Sequence, residues 1–144
     1  MGAVLIQKER IEPTMKEYKS IDSEAIEDFL TELLNTYPGK KLKVICERGP
    51  YHTSKATKNF VAQNDNIELI YLPPRCPNLN LIERLWKIIK ENVTHNKYYS
   101  HFSEFQKAIR SFFTEKITQI QPILASRLKD NFHIINPIFL QTVC

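Results

Sequence analysis

Three prolines separate a short apolar segment from the helix that follows it, and this arrangement constrains the fold more than any other feature. Residues 67–72 are mostly apolar and β-favouring, which predicts a buried strand. Pro73, Pro74 and Pro77 then exclude regular structure until a helix can restart. Glu83 therefore stands at the start of a helix, just after a buried strand and its loop. That position suits a metal-binding carboxylate.

The same layout occurs upstream. Residues 44–46 predict a second short strand, Glu47 follows it, and Gly49 and Pro50 predict a turn. Strands and helices alternate after residue 40, which favours an α/β arrangement with parallel strands. Ligands bind at the carboxyl ends of the strands in such sheets. We therefore expect Glu47 and Glu83 to approach one another at one edge of the sheet.

Two carboxylates at such an edge indicate a site for Mg²⁺. This hard cation takes oxygen ligands, and one or two carboxylates, waters and a substrate phosphate usually complete its shell. Two such ions, roughly 3.5 to 4 Å apart, can activate water or a 3′-hydroxyl and stabilise the leaving oxygen of a phosphodiester. Because Glu47 and Glu83 are only two ligands, we expect weak metal binding.

The rest of the chain predicts a hairpin and four helices. The hairpin strands are predicted at residues 3–6 and 14–20. A first helix is predicted after Asp22 or Ser23 and ends at Pro38 and Gly39. Further helices are predicted at residues 54–63, at residues 80–92 with Ile82, Leu85, Trp86 and Ile89 inward, and from Ser103, where Gln106 completes a capping box.

Composition excludes several classes of protein. The 144 residues are 42% hydrophobic and 25% charged, as in a single globular domain. We see no apolar run near the ~20 residues of a membrane span, and charges at residues 8–10 interrupt the apolar start before it could form a secretory signal. Three cysteines without metal-ligand spacing favour a reduced protein. We expect a cytoplasmic location without membrane attachment, at the nucleoid if the chain binds DNA.

Positive charge is concentrated after residue 40. Residues 1–39 contain 4 basic and 8 acidic residues, whereas residues 40–144 contain 16 basic and 8 acidic residues. This excess predicts a surface that contacts DNA phosphates. An ordinary solvated surface explains the same excess, so both interpretations stay open. The candidate DNA-binding residues are Arg48, His52, Lys55, Arg75, Arg84, Lys87 and Lys90.

The two carboxylate segments resemble the DDE transposases of the mariner superfamily, in their bacterial insertion-sequence branch. The family's second motif, Asp-Asn-Ala-Pro-x-His, corresponds to residues 47–52, and its third motif corresponds to residues 72–83. The chain departs from the family at several positions. These are Glu47 in place of Asp, Arg48 in place of Asn, Arg75 and Cys76 in place of Tyr-Ser, Asn78 in place of Asp, and Leu81 in place of Pro.

The resemblance implies a fold and an activity. The family's catalytic domain is ribonuclease-H-like, a mixed sheet flanked by helices, and it cuts and joins DNA at transposon ends with Mg²⁺ or Mn²⁺ held by three acids. Glu47 and Glu83 match the second and third acids. The first Asp would lie on a strand before Met1, so residues 1–144 are expected to form a partial catalytic domain that lacks the first central strand. An upstream polypeptide, or a homodimer, is the expected partner for the open sheet.

Each candidate also has an ordinary structural interpretation. Glu83 fits a capping box led by Asn80 and stands four residues before Lys87, a spacing typical of helix ion pairs. Glu47 suits a solvated turn, and it is one methylene longer than Asp. His52 after a Gly-Pro turn is more often structural. Two functions remain open: the later part of a DNA-cleaving enzyme that is inactive alone, or a degenerate remnant that at most binds DNA.

Overall fold

The computed structural model describes residues 1–7, 10–74 and 81–128. Their arrangement is mixed α/β, which confirms the predicted fold class. The strands are β1 Gly2–Gln7, β2 Arg10–Met15, β3 Leu42–Cys46 and β4 Ile67–Tyr71. The helices are α1 Ser23–Thr36, α2 Lys55–Ala62, α3 Leu81–Ile89, α4 Phe102–Ser111, α5 Ile117–Gln119 and α6 Gln121–Arg127, with π-helical turns at Lys90–Thr94 and Phe112–Lys116.

Strands β1 and β2 form the predicted hairpin, but β2 begins at Arg10 and not at residue 14. Met1 and Lys16 exchange both backbone hydrogen bonds, at 2.6 and 3.0 Å. Because bonded and non-bonded pairs alternate in an antiparallel ladder, Pro13 falls opposite Val4 in a non-bonded pair. Its missing N–H costs this ladder nothing, which is why a proline stands inside the strand.

Helix α1 begins and ends where local signals predict. The Asp22 carboxylate accepts the Ala25 backbone N–H at 2.8 Å and caps the helix. Gly39 follows the helix with a φ of 72°, a conformation that favours glycine. The buried face of the helix packs against β1 through Met1 and Ala3 and against β3 and β4 through other apolar residues. The buried residues of this helix are Ala25, Ile26, Phe29, Leu30 and Leu33.

The described strands form two separate pairs. Strands β1 and β2 are antiparallel, strands β3 and β4 are parallel, and no ladder joins the pairs within the described part of the chain. Helix α1 covers both pairs, so they belong to one layered body. From the hydrogen-bonding pattern, the backbone groups of Gly2 and Val4 in β1 point away from β2, and those of Lys43 and Ile45 in β3 point away from β4.

The outer edge of β2, by contrast, is closed. The Gln121 side-chain amide donates to the Ile11 carbonyl at 2.9 Å and accepts the Ile11 N–H at 3.2 Å. Pro13, on the same edge, has no N–H to offer. A closed edge cannot pair with another chain, whereas no ladder within the described residues uses the outward donors and acceptors of the β1 and β3 edges.

Helices α3 to α6 form a second layer around a buried cluster that also receives Ile11. Two predictions for this layer are corrected. The α-helix of α3 ends at Ile89 and continues as a π-helical turn. Ile88 is buried, although the predicted inward residues were Ile82, Leu85, Trp86 and Ile89. Helix α4 begins after His101 without a side-chain cap, so the Ser103 capping box is wrong; Glu104 instead accepts the Ser100 N–H at 3.1 Å.

Candidate metal and nucleic-acid site

The loops that carry the candidate carboxylates leave the sheet at the same edge. Strands β3 and β4 are parallel, with Cys46 opposite Tyr71, and the Cys46 carbonyl accepts the Leu72 N–H at 2.9 Å. Glu47 is the next residue after β3, and the chain beyond Leu72 leads to Glu83 in the first turn of α3. The predicted parallel pairing is therefore confirmed. That the two carboxylates meet at this edge stays a prediction.

Backbone hydrogen bonds hold the Glu47 loop in a tight turn. The Gly49 N–H donates to the Glu47 carbonyl at 2.8 Å. The Gly49 carbonyl in turn accepts both the N–H and the hydroxyl of Thr53, each at 3.1 Å. The position of the Glu47 main chain is thus fixed from both sides, while its side chain is exposed.

The start of α2 anchors the other end of this loop. Ser54 caps the helix by accepting the Thr57 N–H at 3.1 Å, as the predicted helix start requires. Thr57 is completely buried, and its hydroxyl donates to the Tyr51 carbonyl at 2.8 Å. Sequence reasoning missed Thr57, although the serine three residues before it at a helix start was a usable signal.

His52 is half-buried inside the turn. Its Nδ1 lies 3.1 Å from where a Cβ on Gly49 would stand, so this glycine admits the imidazole. Its carbonyl accepts the Tyr71 hydroxyl at 2.8 Å, which ties the turn to the end of β4. Burial lowers the pKa of His52, and the negative charge of Glu47 opposes that shift. These contacts give His52 a structural role; its contact with DNA stays a prediction.

The His52 pKa gives a test of its proximity to Glu47. Glu47→Gln removes the charge that raises this pKa, so we expect the His52 pKa to fall further below its ordinary value, followed by NMR titration of the imidazole Cε1–H signal. Glu68→Gln is the matched control, because Glu68 is an exposed strand residue paired with Lys43. Equal titration of wild type and Glu47→Gln would contradict the arrangement.

The depressed His52 pKa also sets a pH dependence. The unfolded chain binds a proton at this residue more readily than the folded chain. The contribution of neutral His52 to the free energy of unfolding should therefore be complete above about pH 6.5, the ordinary histidine pKa. It should be lost as the pH falls through the pKa of His52 in the folded chain. His52→Gln should remove that part of the decline.

Two basic residues accompany the loop. Arg48 is exposed, and its guanidinium lies 6.0 Å from the centroid of the Tyr71 ring. Lys55, the first residue of α2, is also exposed and forms no ion pair with another described residue. Both stand at the edge where β3 ends. Arg75, Cys76 and Asn78, which the sequence also singled out, lie outside the described residues.

Helix α3 presents the second carboxylate and three basic residues. Glu83, Lys87 and Lys90 are exposed and Arg84 is half-buried. Within the described residues Glu83 forms no ion pair, so the pairing with Lys87 that its spacing indicates is not formed. The alternative in which Asn80 leads a capping box falls outside the described residues.

Packing positions α3 against the hairpin. Leu85 and Ile88 are each 1% exposed, and Trp86, which is half-buried, lies against β1. A Cβ on Gly2 would stand 3.0 Å from Cζ2 of that indole, so a larger residue would force the ring to shift by a few tenths of an ångström. Glu83 is therefore held on a helix whose rotation is fixed by long-range packing.

The described residues contain no group of three or more His, Cys, Asp or Glu side chains that could hold a metal ion. Glu47, in the loop after β3, and Glu83, on helix α3, are thus a candidate donor set of two carboxylates. Such a set fits Mg²⁺ or Mn²⁺ only with waters and substrate phosphate as further ligands, and only weakly. Among the same residues, none of the helices is long and apolar enough to cross a membrane.

Comparison with known proteins gives three similarities. The family described as "DDE superfamily endonuclease" matches residues 2–106. The "Uncharacterized protein y4pE/y4sA" of Sinorhizobium fredii is 25% identical over 113 residues, which cover 78% of this chain and 81% of that protein. The "Insertion element IS630 uncharacterized 39 kDa protein" of Shigella sonnei is 30% identical over 84 residues, which cover 58% of this chain but only 24% of that protein.

Proposed function

Because the chain belongs to the DDE superfamily endonucleases, we propose that residues 1–144 form the later part of a domain for metal-dependent DNA strand cleavage and transfer, with Glu47 and Glu83 as its catalytic carboxylates. The family acts on DNA and uses divalent metal ions. The substrate proposed for this chain is the end of a mobile element, as the insertion-element relative suggests.

One observation supports this proposal most. The parallel register of β3 and β4, with the Leu72 N–H on the Cys46 carbonyl, brings the exits of both carboxylate-bearing segments to one edge of the sheet. Because both motifs start from this edge, a phosphodiester bound there would have Glu47 on one side and α3 on the other.

Glu47 and Glu83 would hold the metal ion, Mg²⁺ or Mn²⁺. When bound, the ion would polarise the phosphoryl oxygens and lower the pKa of a ligated water. The protein's own contribution is to fix two carboxylates on rigid segments and to bind the phosphates on either side of the scissile bond. The residues proposed to contact phosphates are Arg48, His52, Lys55, Arg75, Arg84, Lys87 and Lys90.

The proposed protein partner supplies a strand and the first aspartate. The open backbone groups of Gly2 and Val4 in β1, and of Lys43 and Ile45 in β3, are suitable for pairing with an added strand. We propose an upstream polypeptide as the donor of that strand. A homodimer paired through the same edges is the competing arrangement.

A degenerate, DNA-binding remnant is the second candidate function. The observation that favours it is the second motif itself, where Glu47 and Arg48 replace the family's acid and amide. A longer side chain can misplace the metal ligand by about 1 Å, which is enough to cost about 10²-fold in rate.

The test is whether a divalent ion changes DNA affinity through both carboxylates. Fluorescence anisotropy of a labelled duplex would be measured with Mn²⁺ and with a chelator. We expect Mn²⁺ to raise the affinity of wild type and of Glu68→Gln, and to have no effect on Glu47→Gln or Glu83→Gln. Retention of the metal-dependent increment in either carboxylate variant would refute the site.

A further inference from the structure

A groove runs along the same helix that carries Glu83. It lies between α3, with its π-helical continuation, and α4, and its volume is about 410 Å³. Trp86, Phe105 and Ile109 form apolar walls, while Glu83 and Lys90 lie at the rim. Its size falls at the lower end of the range for small organic ligands, about 300 to 1,000 Å³.

Trp86 makes one wall of this groove rigid. Its benzo ring is packed so closely on Gly2 that an added Cβ would stand 3.0 Å from Cζ2 and 3.3 Å from Cη2. No described residue bonds to the indole N–H, yet no buried side-chain nitrogen or oxygen of the described residues lacks a partner. The indole N–H therefore reaches solvent, so Trp86 offers a fixed aromatic surface with a hydrogen-bond donor.

The groove adjoins residues proposed to contact DNA, which favours a nucleic acid over a protein side chain as its occupant. Arg84, Lys87 and Lys90 stand on the same helical segment. The other acid of this segment, Glu91, is neutralised by Arg127, whose guanidinium donates to it at 2.9 Å. Lys90 lies at the rim, on the helical segment that also carries Arg84 and Lys87, and the interior is apolar and aromatic. This arrangement suits a strand whose phosphates stay outside while a base enters, because bases stack on aromatic side chains.

We propose that this groove receives one unpaired nucleobase of the DNA strand whose phosphate lies at Glu83, with the base against Trp86. This inference rests on the proposed function and adds to it a binding site for the base. The site gives the protein a preference for DNA with single-stranded or distorted nucleotides, since a paired base must first leave the helix to enter.

The experiment uses the fluorescence of Trp86, which is the one tryptophan of the chain. Two DNA duplexes differ only in a single-stranded 3′ overhang, which consists of adenines in one and abasic nucleotides in the other. We expect the adenine overhang to quench Trp86 emission and to bind about 5- to 150-fold more tightly than the abasic overhang, the range for one base stacked on an aromatic ring.

Two variants separate the groove from the rest of the surface. Ile109→Phe fills the groove and should bring the two affinities together while binding to fully paired DNA is unchanged. Tyr98→Ala is the matched control, because this tyrosine is 91% exposed and does not line the groove. It should retain the wild-type preference.

The outcomes also separate this inference from the proposed function. Equal affinity of wild type for the two overhangs, or unchanged Trp86 emission, overturns the base site but leaves phosphate binding intact. No binding to any DNA at low salt overturns both. A preference that survives in Ile109→Phe and is lost in Tyr98→Ala places the base on another surface and overturns the assignment to this groove.

Discussion

Residues 1–144 alone are expected to leave DNA uncut, and to cut it when the proposed upstream strand and its aspartate are supplied. Glu47 and Glu83 provide two carboxylates, whereas the proposed chemistry needs a third to hold the metal ions at the phosphodiester. The open backbone edges of β1 and β3 give the added strand a place to pair. The measurement is nicking of supercoiled plasmid with Mn²⁺, with and without the co-expressed polypeptide encoded upstream of Met1.

Variants make this prediction specific. In the combined protein, Glu83→Gln should lower the nicking rate by about a hundredfold or more, since a metal ligand displaced by only about 1 Å costs that much. Glu68→Gln, an exposed substitution elsewhere on the sheet, should leave the rate unchanged. Metal-dependent nicking by residues 1–144 alone, lost on Glu83→Gln, would contradict the prediction. Inactivity of the combined protein would favour the remnant.

The second large effect concerns salt. If the basic surface after residue 40 contacts phosphates, DNA affinity should be independent of sequence and should fall steeply as salt rises, because each neutralised phosphate releases counterions. Replacing Arg84, Lys87 and Lys90 together with Ala should reduce the slope of log K against log salt by up to about 2.7, roughly 0.9 for each lost contact. Anisotropy titrations of labelled DNA at several salt concentrations measure this slope.

A matched triple variant tests whether position or only net charge matters. Lys16, Lys19 and Lys43 carry the same total charge but stand on other segments: Lys16 and Lys19 follow β2, and Lys43 is in β3. Their replacement by Ala should change the slope much less. Equal slopes for wild type and the α3 variant would mean that the basic residues of α3 form an ordinary solvated surface.

Local signals predicted the elements whose boundaries are set locally. For α1, the apolar spacing, the Asp22 cap and Gly39 all lie within the helix or beside it, and the structure places the helix where they indicate. The predicted start of β2 was wrong, because a proline such as Pro13 usually indicates the end of a strand. Only its register against Val4, a property of two strands, shows that its missing N–H is harmless.

The predicted start of helix α4 was wrong for the same reason. Ser103 and Gln106 match a capping box, but contacts outside that motif set the start of the helix. Glu104 accepts the Ser100 N–H, and Phe105 packs its ring against Tyr99, with centroids 5.7 Å apart. These contacts hold the turn before the helix and place its N-cap, His101, two positions earlier than the motif indicates.

In the candidate site too, local signals predicted some features, whereas contacts between distant residues were not predicted. Glu47 and Glu83 were identified from motifs, and the parallel strands that carry them follow from alternating strands and helices. The contacts that hold the site in place join residues far apart in the sequence. The Tyr71 hydroxyl donates to the His52 carbonyl, and Trp86 packs on Gly2. No local pattern predicts such pairs, because each depends on how the strands and helices come together.

The central claim is that Glu47 and Glu83 serve one metal site at one edge of the sheet. Mn²⁺ broadens the NMR signals of nuclei near it, so a titration of the labelled protein tests the claim directly. We predict that the amide signals of Gly49 and Arg84 broaden together in wild type, and that Glu47→Gln and Glu83→Gln each abolish both effects. Broadening at only one of the two amides would contradict a shared site. So would a variant that loses the broadening only at the amide next to its substituted carboxylate.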